Sequence, residues 1–282
     1  MALLDGKQLA GKIIDGLREE YQKSPKKFSL GVVVVGSDPV IAKFIMQKKK
    51  IAGELGINFR IYAYDAAIST NDLRTNMASL VHQADLDGIV VQLPLPSTIN
   101  AQSILNAVPP EKDVDVLSAR AMGNFAVGKS PVLPPVVGAV KALFDEYQLG
   151  LRGKTIAVIG AGALVGRPIA TWLLLTKATF TVVEEGGDIA AATRNADIII
   201  SGAGKPDLIT ADMVKDGVVV IDAGTSSGSS STSSGQQASI VGDVDFEGVS
   251  KKAAFITPVP GGVGPLTVAM IFKNLITLAR QD

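Results

Sequence analysis

A proline- and glycine-rich segment near the end of the chain, 258–265, could hold a flat ligand against its backbone. It reads Pro-Val-Pro-Gly-Gly-Val-Gly-Pro and so contains three prolines and three glycines. Proline fixes φ and glycine frees it, so this composition predicts a rigid loop rather than a helix or a strand. A purely structural turn before the last helix is the alternative interpretation.

A glycine turn earlier in the chain, 158–168, could bind a dinucleotide. It reads Val-Ile-Gly-Ala-Gly-Ala-Leu-Val-Gly-Arg-Pro, between an apolar run and an amphipathic segment. Glycines permit a tight turn and close approach of the backbone, and a helix N-terminus favours a pyrophosphate. We predict a dinucleotide site here, with plain packing of strand against helix as the alternative.

Two acidic residues, Glu184 and Glu185, lie at the end of the next apolar run. A carboxylate about 20 residues beyond such a glycine turn is placed to bind the ribose 2′-hydroxyl of the adenosine. It would also repel the 2′-phosphate of NADP, so the pattern predicts NAD over NADP. Two exposed loop carboxylates are the alternative.

Polar residues in the first half of the chain could form a second site. Phe44 and Lys48 are four residues apart on a predicted helix and so share a face, although a lysine run such as 48–50 is most often a solvated surface. Gln92 ends an apolar run, and ligands bind at the carboxyl ends of strands in open α/β sheets. Asp113 and Asp115 follow, with an exposed acidic turn as the alternative.

These candidates require a frame of alternating strands and helices. Strands are predicted at 30–35, 58–64, 87–92, 155–159, 179–183, 197–201 and 218–222. Helices are predicted at 4–22, 40–55, 71–83, with Thr70 or Asn71 as its cap, 168–175 and 266–280. The alternation implies right-handed βαβ units on parallel sheets and therefore an α/β fold. The serine-rich segment 225–237 is predicted to be a mobile surface loop.

Composition excludes several classes of function. The chain has no cysteine and a single histidine, His82, which excludes thiolate zinc sites and multi-histidine metal sites. The formal net charge is zero, so nothing indicates nucleic acid or an anionic membrane as a partner. Asp5 and Lys7 interrupt the N-terminal apolar stretch, which argues against a signal peptide. We expect a soluble cytoplasmic protein without a metal ion, in which His82 is structural.

Together these segments resemble the bifunctional methylenetetrahydrofolate dehydrogenase/cyclohydrolases, in order and over nearly the whole chain. The matching motifs are 4–7 (Leu-Asp-Gly-Lys), 35–39 (Val-Gly-Ser-Asp-Pro), 91–96 (Val-Gln-Leu-Pro-Leu-Pro), 110–115 (Pro-Glu-Lys-Asp-Val-Asp), 242–246 (Gly-Asp-Val-Asp-Phe) and 258–265. The loop 258–265 and the strand end 91–96 are the most specific of them.

The resemblance implies two lobes. An N-terminal αβα catalytic domain, 1–138 with 266–282, would bind the tetrahydrofolate substrate, and the last helix would pack back on this first domain. A C-terminal Rossmann-type dinucleotide-binding domain, 139–265, would present the nicotinamide of NAD or NADP across a cleft. A homodimer through the cofactor domain is typical of the family.

The resemblance also implies roles for individual residues. The lysine matching Lys48 is central to catalysis, and its amine activates water only if its pKa is lowered. Gln92 would position that lysine, and Asp115 would bind the donor edge of the pterin. The other predicted substrate contacts are Phe44, Val91, Leu93, Pro94, Pro260, Gly261 and Gly262. The predicted cofactor contacts are Gly160, Ala161, Gly162, Leu164, Val165, Gly166, Glu184, Glu185, Gly202, Ala203, Gly224, Thr225, Gly264 and Thr267.

The chain departs from the family pattern around the presumed C1 site. Phe44 replaces the usual tyrosine, Ile41 a serine, and 133–136 (Leu-Pro-Pro-Val) a segment that carries a threonine. Val116 stands where the family usually has glycine. Because hydroxyl groups are lost, we predict that dehydrogenase activity persists and cyclohydrolase activity is weakened.

A second departure lies at the cofactor turn. Ala161-Gly162 replaces the usual Arg-Ser, and Glu184-Glu185 replaces His-Ser, which indicates lost recognition of a 2′-phosphate. Two alternatives to the folate enzyme remain open at this point. One is a catalytically impaired folate- or nucleotide-binding protein, since a fold survives loss of function. The other is a related two-lobed dehydrogenase, such as a shikimate or amino-acid dehydrogenase, which would not explain Gln92 together with 258–265.

Overall fold

The computed structural model describes residues 1–228 and 239–280. Its helices are α1 (Gly6–Tyr21), α2 (Pro39–Leu55), α3 (Thr70–Val81), α4 (Ala101–Leu105), α5 (Ala119–Ala126), α6 (Pro135–Glu146), α7 (Gly166–Leu175), α8 (Ile189–Arg194), α9 (Phe246–Ser250) and α10 (Val263–Leu278). Its strands are β1 (Ala2–Leu3), β2 (Ser29–Val35), β3 (Asn58–Tyr64), β4 (Gly88–Val91), β5 (Thr155–Ile159), β6 (Thr179–Val183), β7 (Ile198–Ser201), β8 (Val219–Asp222), β9 (Ser226–Gly228), β10 (Ser239–Val241) and β11 (Phe255–Ile256).

Two parallel sheets organise the fold. One has six strands in the order β1-β11-β8-β7-β5-β6, and the other has three in the order β3-β2-β4. Neighbouring strands in both sheets run parallel, whereas β9 and β10 form a separate antiparallel pair. The α/β fold with parallel sheets is therefore confirmed. The two-residue strands β1 and β11 are too short for hydrophobic periodicity to reveal.

The chain divides into two compact units. The six-stranded unit combines Met1–Ala10 with Val136–Thr267, and the three-stranded unit combines Gly11–Pro135 with Val268–Asp282. The first residues group with the six-stranded unit because β1 pairs with β11. The predicted functional domains, 1–138 with 266–282 and 139–265, stay a prediction. Among the described residues, no helix combines the length and the apolarity needed to cross a membrane.

Continuous apolar runs form the central strands. All seven residues of β2 and all four residues of β4 and β7 are buried. Strands covered on both faces need apolar side chains at every position, which is why these runs show no alternation. Carboxyl ends of neighbouring parallel strands lie at the same edge of a sheet, so each sheet has one edge where polar residues can gather.

Several element boundaries differ from the predicted ones. Helix α3 starts at Thr70 because Ser69 is its cap, and the Ser69 side chain accepts a hydrogen bond from the Asp72 backbone N–H. Helix α10 starts at Val263, inside the segment predicted to be only a loop. Pro265 is tolerated there because first-turn N–H groups have no partner within the helix.

The serine-rich segment 225–237 was predicted to be a loop throughout, and this is wrong at its start. Residues Ser226–Gly228 form β9 and pair with β10. The prediction of mobility for 229–237 lies outside the described residues.

Candidate functional site

Lys48 and Gln92 are brought together in the three-stranded unit. Lys48 lies on α2 and is 8% exposed, whereas Lys49 and Lys50 on the same helix are exposed. Its Nζ donates a hydrogen bond to Gln92 Oε1 over 3.0 Å. The Gln92 side chain is fixed in turn, since its Nε2 donates to the Leu93 carbonyl over 2.8 Å. The solvated-surface interpretation is therefore wrong for Lys48.

Burial shifts the pKa values of Lys48 and of the nearby Asp115. Desolvation lowers the pKa of Lys48 below that of a free lysine, and the nearby charge of Asp115 partly opposes the shift. Desolvation raises the pKa of Asp115 to about 7, against the attraction of Lys48 and together with the repulsion of Asp113. An amine with a lowered pKa and a carboxyl group that titrates near neutrality are typical of acid–base sites.

The two aspartates of the 111–118 segment have different environments. Asp113 is 3% exposed, and its carboxylate accepts hydrogen bonds from the backbone N–H groups of Leu117 and Ser118. The exposed-turn interpretation is therefore wrong for Asp113, which holds the segment in shape. Asp115 is only partly buried, and its carboxylate accepts no hydrogen bond from the described part of the chain.

The backbone around Asp115 is held by its neighbours. Val116 is fully buried and has φ 56°, a left-handed conformation that a β-branched side chain rarely adopts. The Asn274 side chain on α10 donates to the carbonyls of Val114 and Leu133, both over 2.8 Å. The prediction that the last helix packs back on the first domain is thus confirmed within the three-stranded unit.

The remaining predicted substrate residues are distributed over both units. Phe44 lies one turn before Lys48 on α2 and is half-buried. Leu93 follows Gln92 and is joined to Pro94 by a cis peptide bond. Val91 is 4% exposed and its side chain packs in the core, so only its backbone could contact a ligand. Ile41 is 8% exposed and places an apolar group at the position of the family's serine.

The loop 258–262 belongs to the six-stranded unit. The Gly261 carbonyl accepts a hydrogen bond from the Lys7 backbone N–H over 2.8 Å, and the Gly262 N–H donates to the Pro258 carbonyl over 2.8 Å. A Cβ added at Gly6 would lie 1.8 Å from the Gly262 carbonyl oxygen. This part of the predicted loop, with Pro260 exposed, is therefore ordered by close backbone packing.

The glycine turn between β5 and α7 has the shape of a dinucleotide cradle. Gly160 has φ 85°, and a Cβ at Gly166 would lie 1.8 Å from the Gly160 carbonyl oxygen. A Cβ at Gly202 would lie 2.3 Å from Val165 Cγ1. The cap residue Val165 makes no side-chain hydrogen bond to the first turn of α7. The residues present therefore fit a pyrophosphate, which needs close backbone approach and a helix N-terminus without a side-chain cap.

Glu184 lies against this turn. Its Oε1 accepts a hydrogen bond from the Ala161 backbone N–H over 3.0 Å. Glu185 is exposed and pairs with Lys205, with 3.5 Å between Nζ and Oε1. Glu184 is exposed as well, but its contact with the turn distinguishes it from an ordinary loop carboxylate.

The other predicted cofactor contacts lie at strand ends or in the first turn of α10. Gly202 and Ala203 follow β7, Gly224 and Thr225 follow β8, and Leu164 is 51% exposed beside the glycine turn. In α10, the Thr267 hydroxyl donates to the Gly264 carbonyl over 2.7 Å.

Three side chains to which the sequence assigned no role make hydrogen bonds at these strand ends: Ser201, Asp222 and Asp243. All three are buried. The only sequence signal was the motif 242–246, which carried the resemblance without indicating a function.

His82 follows α3 and is exposed, and its Nδ1–H donates to the Ala78 carbonyl over 2.6 Å, in keeping with a structural role. In the described chain, no cluster of three or more acidic or histidine side chains could hold a metal ion.

Comparisons with known proteins agree in both units. Residues 4–115 match the profile of the tetrahydrofolate dehydrogenase/cyclohydrolase catalytic domain, and residues 134–282 match that of the NAD(P)-binding domain. The bifunctional protein FolD of Nautilia profundicola is 41% identical over 287 residues, which cover 100% of this chain and 98% of that protein.

Solved structures give the same result. The bifunctional FolD methylenetetrahydrofolate dehydrogenase/cyclohydrolase of Campylobacter jejuni has a TM-score of 0.91 at 40% identity, covering 100% of this chain and 99% of its own. The Trypanosoma brucei enzyme, complexed with NADP and an inhibitor, has a TM-score of 0.93 at 33% identity, covering 99% and 97%. The protein therefore belongs to the tetrahydrofolate dehydrogenase/cyclohydrolase family.

Proposed function

We propose that this protein oxidises 5,10-methylenetetrahydrofolate to 5,10-methenyltetrahydrofolate with NAD(P)+ and hydrolyses the product to 10-formyltetrahydrofolate. The observation that carries the proposal is the buried Lys48 amine, held by Gln92 and close enough to Asp115 for their charges to interact. The name of the Campylobacter jejuni relative, a methylenetetrahydrofolate dehydrogenase/cyclohydrolase, supports the same pair of activities.

The chemistry divides between the two units. In the three-stranded unit, Asp115 would bind the donor edge of the pterin, Phe44 would stack on its ring, and Gln92 would orient the Lys48 amine. In the six-stranded unit, the glycine turn would hold NAD(P)+, which accepts a hydride from the C1 bridge when bound. The neutral Lys48 amine would take a proton from water as that water adds to the methenyl carbon. The bond between that carbon and N5 then breaks, the hydroxyl proton passes to N5 to leave the 10-formyl group, and Lys48 releases the proton that it took from water.

One assay tests the proposal against its alternatives. Purified protein is mixed with methylenetetrahydrofolate and either NAD+ or NADP+, and the absorbance of methenyltetrahydrofolate is followed. Turnover with either dinucleotide supports the folate enzyme. Binding of folate without turnover supports a silent binding protein. Neither binding nor turnover leaves a two-lobed dehydrogenase that acts on another substrate.

We infer a preference for NAD+ from the contact between Glu184 and the glycine turn. The wild type should show a kcat/KM with NAD+ at least about tenfold above that with NADP+, since a carboxylate repels a phosphate in the same position. Glu184→Ala should narrow this ratio by about tenfold, whereas Glu185→Ala, the matched control, should change it less. A higher kcat/KM with NADP+ in the wild type contradicts the inference.

We also infer that hydrolysis is the weaker activity, because Phe44 and Ile41 supply no hydroxyl near Lys48. Phe44→Tyr should raise the rate of methenyltetrahydrofolate hydrolysis about threefold to tenfold by adding a hydrogen-bonding group. Its dehydrogenase rate is the internal control and should stay within about twofold of wild type. A wild-type hydrolysis rate equal to the dehydrogenation rate, with no gain in the variant, would refute this.

We further infer a homodimer, which the family resemblance implies. Sedimentation equilibrium of the purified protein measures its mass directly, and a monomer at micromolar concentration contradicts the inference.

A further inference from the structure

Two buried carboxylates lie together at the carboxyl edge of the six-stranded sheet. Asp222 ends β8 and is 3% exposed, and Asp243 follows β10 and is fully buried. Neither forms an ion pair with any lysine or arginine in the described part of the chain. Buried charge without a cation is costly unless hydrogen bonds compensate it, so the donors around the pair need an explanation.

Asp243 binds the segment that follows β7. Its Oδ2 accepts hydrogen bonds from the Ser201 hydroxyl and the Ala203 backbone N–H, both over 2.7 Å. Its Oδ1 accepts one from the Lys205 backbone N–H over 2.9 Å. A single side chain therefore sets the path of 201–205, which contains the predicted cofactor contacts Gly202 and Ala203.

Asp222 binds the segment that follows its own strand and connects it to Asp243. Its Oδ1 accepts hydrogen bonds from the backbone N–H groups of Gly224, over 2.9 Å, and Asp243, over 3.2 Å. Its Oδ2 accepts one from the Val244 N–H over 3.0 Å. Gly224 and Thr225 are the predicted cofactor contacts in this segment.

Glycines allow the two carboxylates to approach these segments. A Cβ at Gly224 would lie 2.1 Å from Asp243 Oδ1, and a Cβ at Gly242 would lie 2.1 Å from Asp222 Oδ2. Each carboxylate thus occupies the space that a side chain on the facing segment would need. Such interlocking holds the three segments in one arrangement and leaves little room for adjustment.

We propose that Asp243, supported by Asp222, is a positioning residue for dinucleotide binding. Together the two carboxylates hold the segments after β7 and β8 in their ligand-binding conformation. The proposal rests on the proposed dinucleotide site. It gives the pair a role in affinity for the dinucleotide and none in the chemistry around Lys48. Charge-assisted hydrogen bonds to backbone N–H groups are strong and directional, so loss of one carboxylate should release the segment that it binds.

The test compares Asp243→Asn with wild type by calorimetric titration of the dinucleotide and by both enzymatic activities. We expect the Kd and KM for the dinucleotide to rise at least about tenfold, because an amide presents a donor to backbone N–H groups that need an acceptor. Hydrolysis of methenyltetrahydrofolate needs no dinucleotide and should stay within about twofold, which shows that the fold is intact.

Two further variants keep the result decisive. Ser201→Ala removes one donor to Asp243 and should raise the dinucleotide Kd by a smaller factor than Asp243→Asn does. If Asp243→Asn does not fold, the Kd of Ser201→Ala tests the proposal in its place. Asp197→Asn is the matched control, since Asp197 binds the Thr155 N–H over 2.8 Å at the opposite edge of the sheet. It should leave the dinucleotide Kd unchanged.

Three results overturn the proposal: an unchanged Kd in the folded Asp243→Asn variant, an unchanged Kd in Ser201→Ala, or an equal fall in both activities. A wild type that binds dinucleotide without folate turnover refutes the proposed function but leaves this proposal testable by Kd. A wild type that binds no dinucleotide refutes both.

Discussion

Lys48→Met should lower the rate of methenyltetrahydrofolate hydrolysis by about a thousandfold, within the range that general base catalysis contributes. Dehydrogenation should fall as well, by at least about tenfold, because Gln92 loses its hydrogen-bonding partner and Asp115 loses the nearby positive charge. Methionine is unbranched and apolar and suits the buried site, so the fold should persist. Both rates are measured from the absorbance of methenyltetrahydrofolate.

The matched control for this variant is Lys49→Met. Lys49 is adjacent on α2 but exposed, so its replacement should leave both activities within about twofold of wild type. The pH dependence gives a second check. The pKa of Lys48 is lowered by burial, so its neutral fraction, and with it the hydrolysis rate, should rise with pH earlier than for a free lysine. Undiminished hydrolysis in Lys48→Met would rule out the amine as the base.

Asp115→Asn should raise the KM for methylenetetrahydrofolate by about a hundredfold. This is the size expected when a charged carboxylate that accepts hydrogen bonds from the pterin donors is replaced. An amide offers one acceptor oxygen where the carboxylate offers two, and its NH2 group faces the pterin donors. Glu111→Gln is the control, since Glu111 is exposed in the same segment and should leave KM unchanged.

The pH profile identifies this role of Asp115. Its pKa is raised to about 7, so the acceptor carboxylate is lost as pH falls through that value. In the wild type, kcat/KM for the folate should therefore rise from pH 6 to pH 8, about one unit to either side of that value, and Asp115→Asn should be flat there. A KM that is unchanged in the variant, or a profile identical to wild type, excludes Asp115 as the pterin ligand.

The raised pKa of Asp115 also affects the stability of the fold, which should fall with rising pH where kcat/KM rises. A carboxyl group with a raised folded-state pKa binds more protons in the folded state, so it stabilises the fold most below its unfolded pKa of about 4. This contribution is lost as pH rises through about 7. The wild type should therefore lose stability relative to Asp115→Asn between these values, as urea denaturation at several pH values measures.

Local sequence determined the elements and the glycine turn. The uninterrupted apolar run of β2 predicts a strand covered on both faces, and β3, β5 and β6 have the bounds that their composition predicts. Gly160 and Gly166 predict a dinucleotide cradle because the conformation that requires glycine is local. Gly160 has a positive φ, and Gly166 approaches the backbone of Gly160 closely. The family resemblance then indicated Lys48, Gln92 and Asp115 through short motifs.

Only the tertiary structure decided which of the candidate side chains act on one another. Lys48 and Gln92 are 44 residues apart, and their hydrogen bond depends on how α2 packs on the three-stranded sheet. Burial, which separates Lys48 from Lys49 and raises the pKa of Asp115, is a property of the packed unit and not of a motif. Ser201 and Asp222 carry no local signal, and Asp243 lies in a motif that indicated no function. Their contacts span up to 42 residues and exist only once the carboxyl ends of β7 and β8 share an edge.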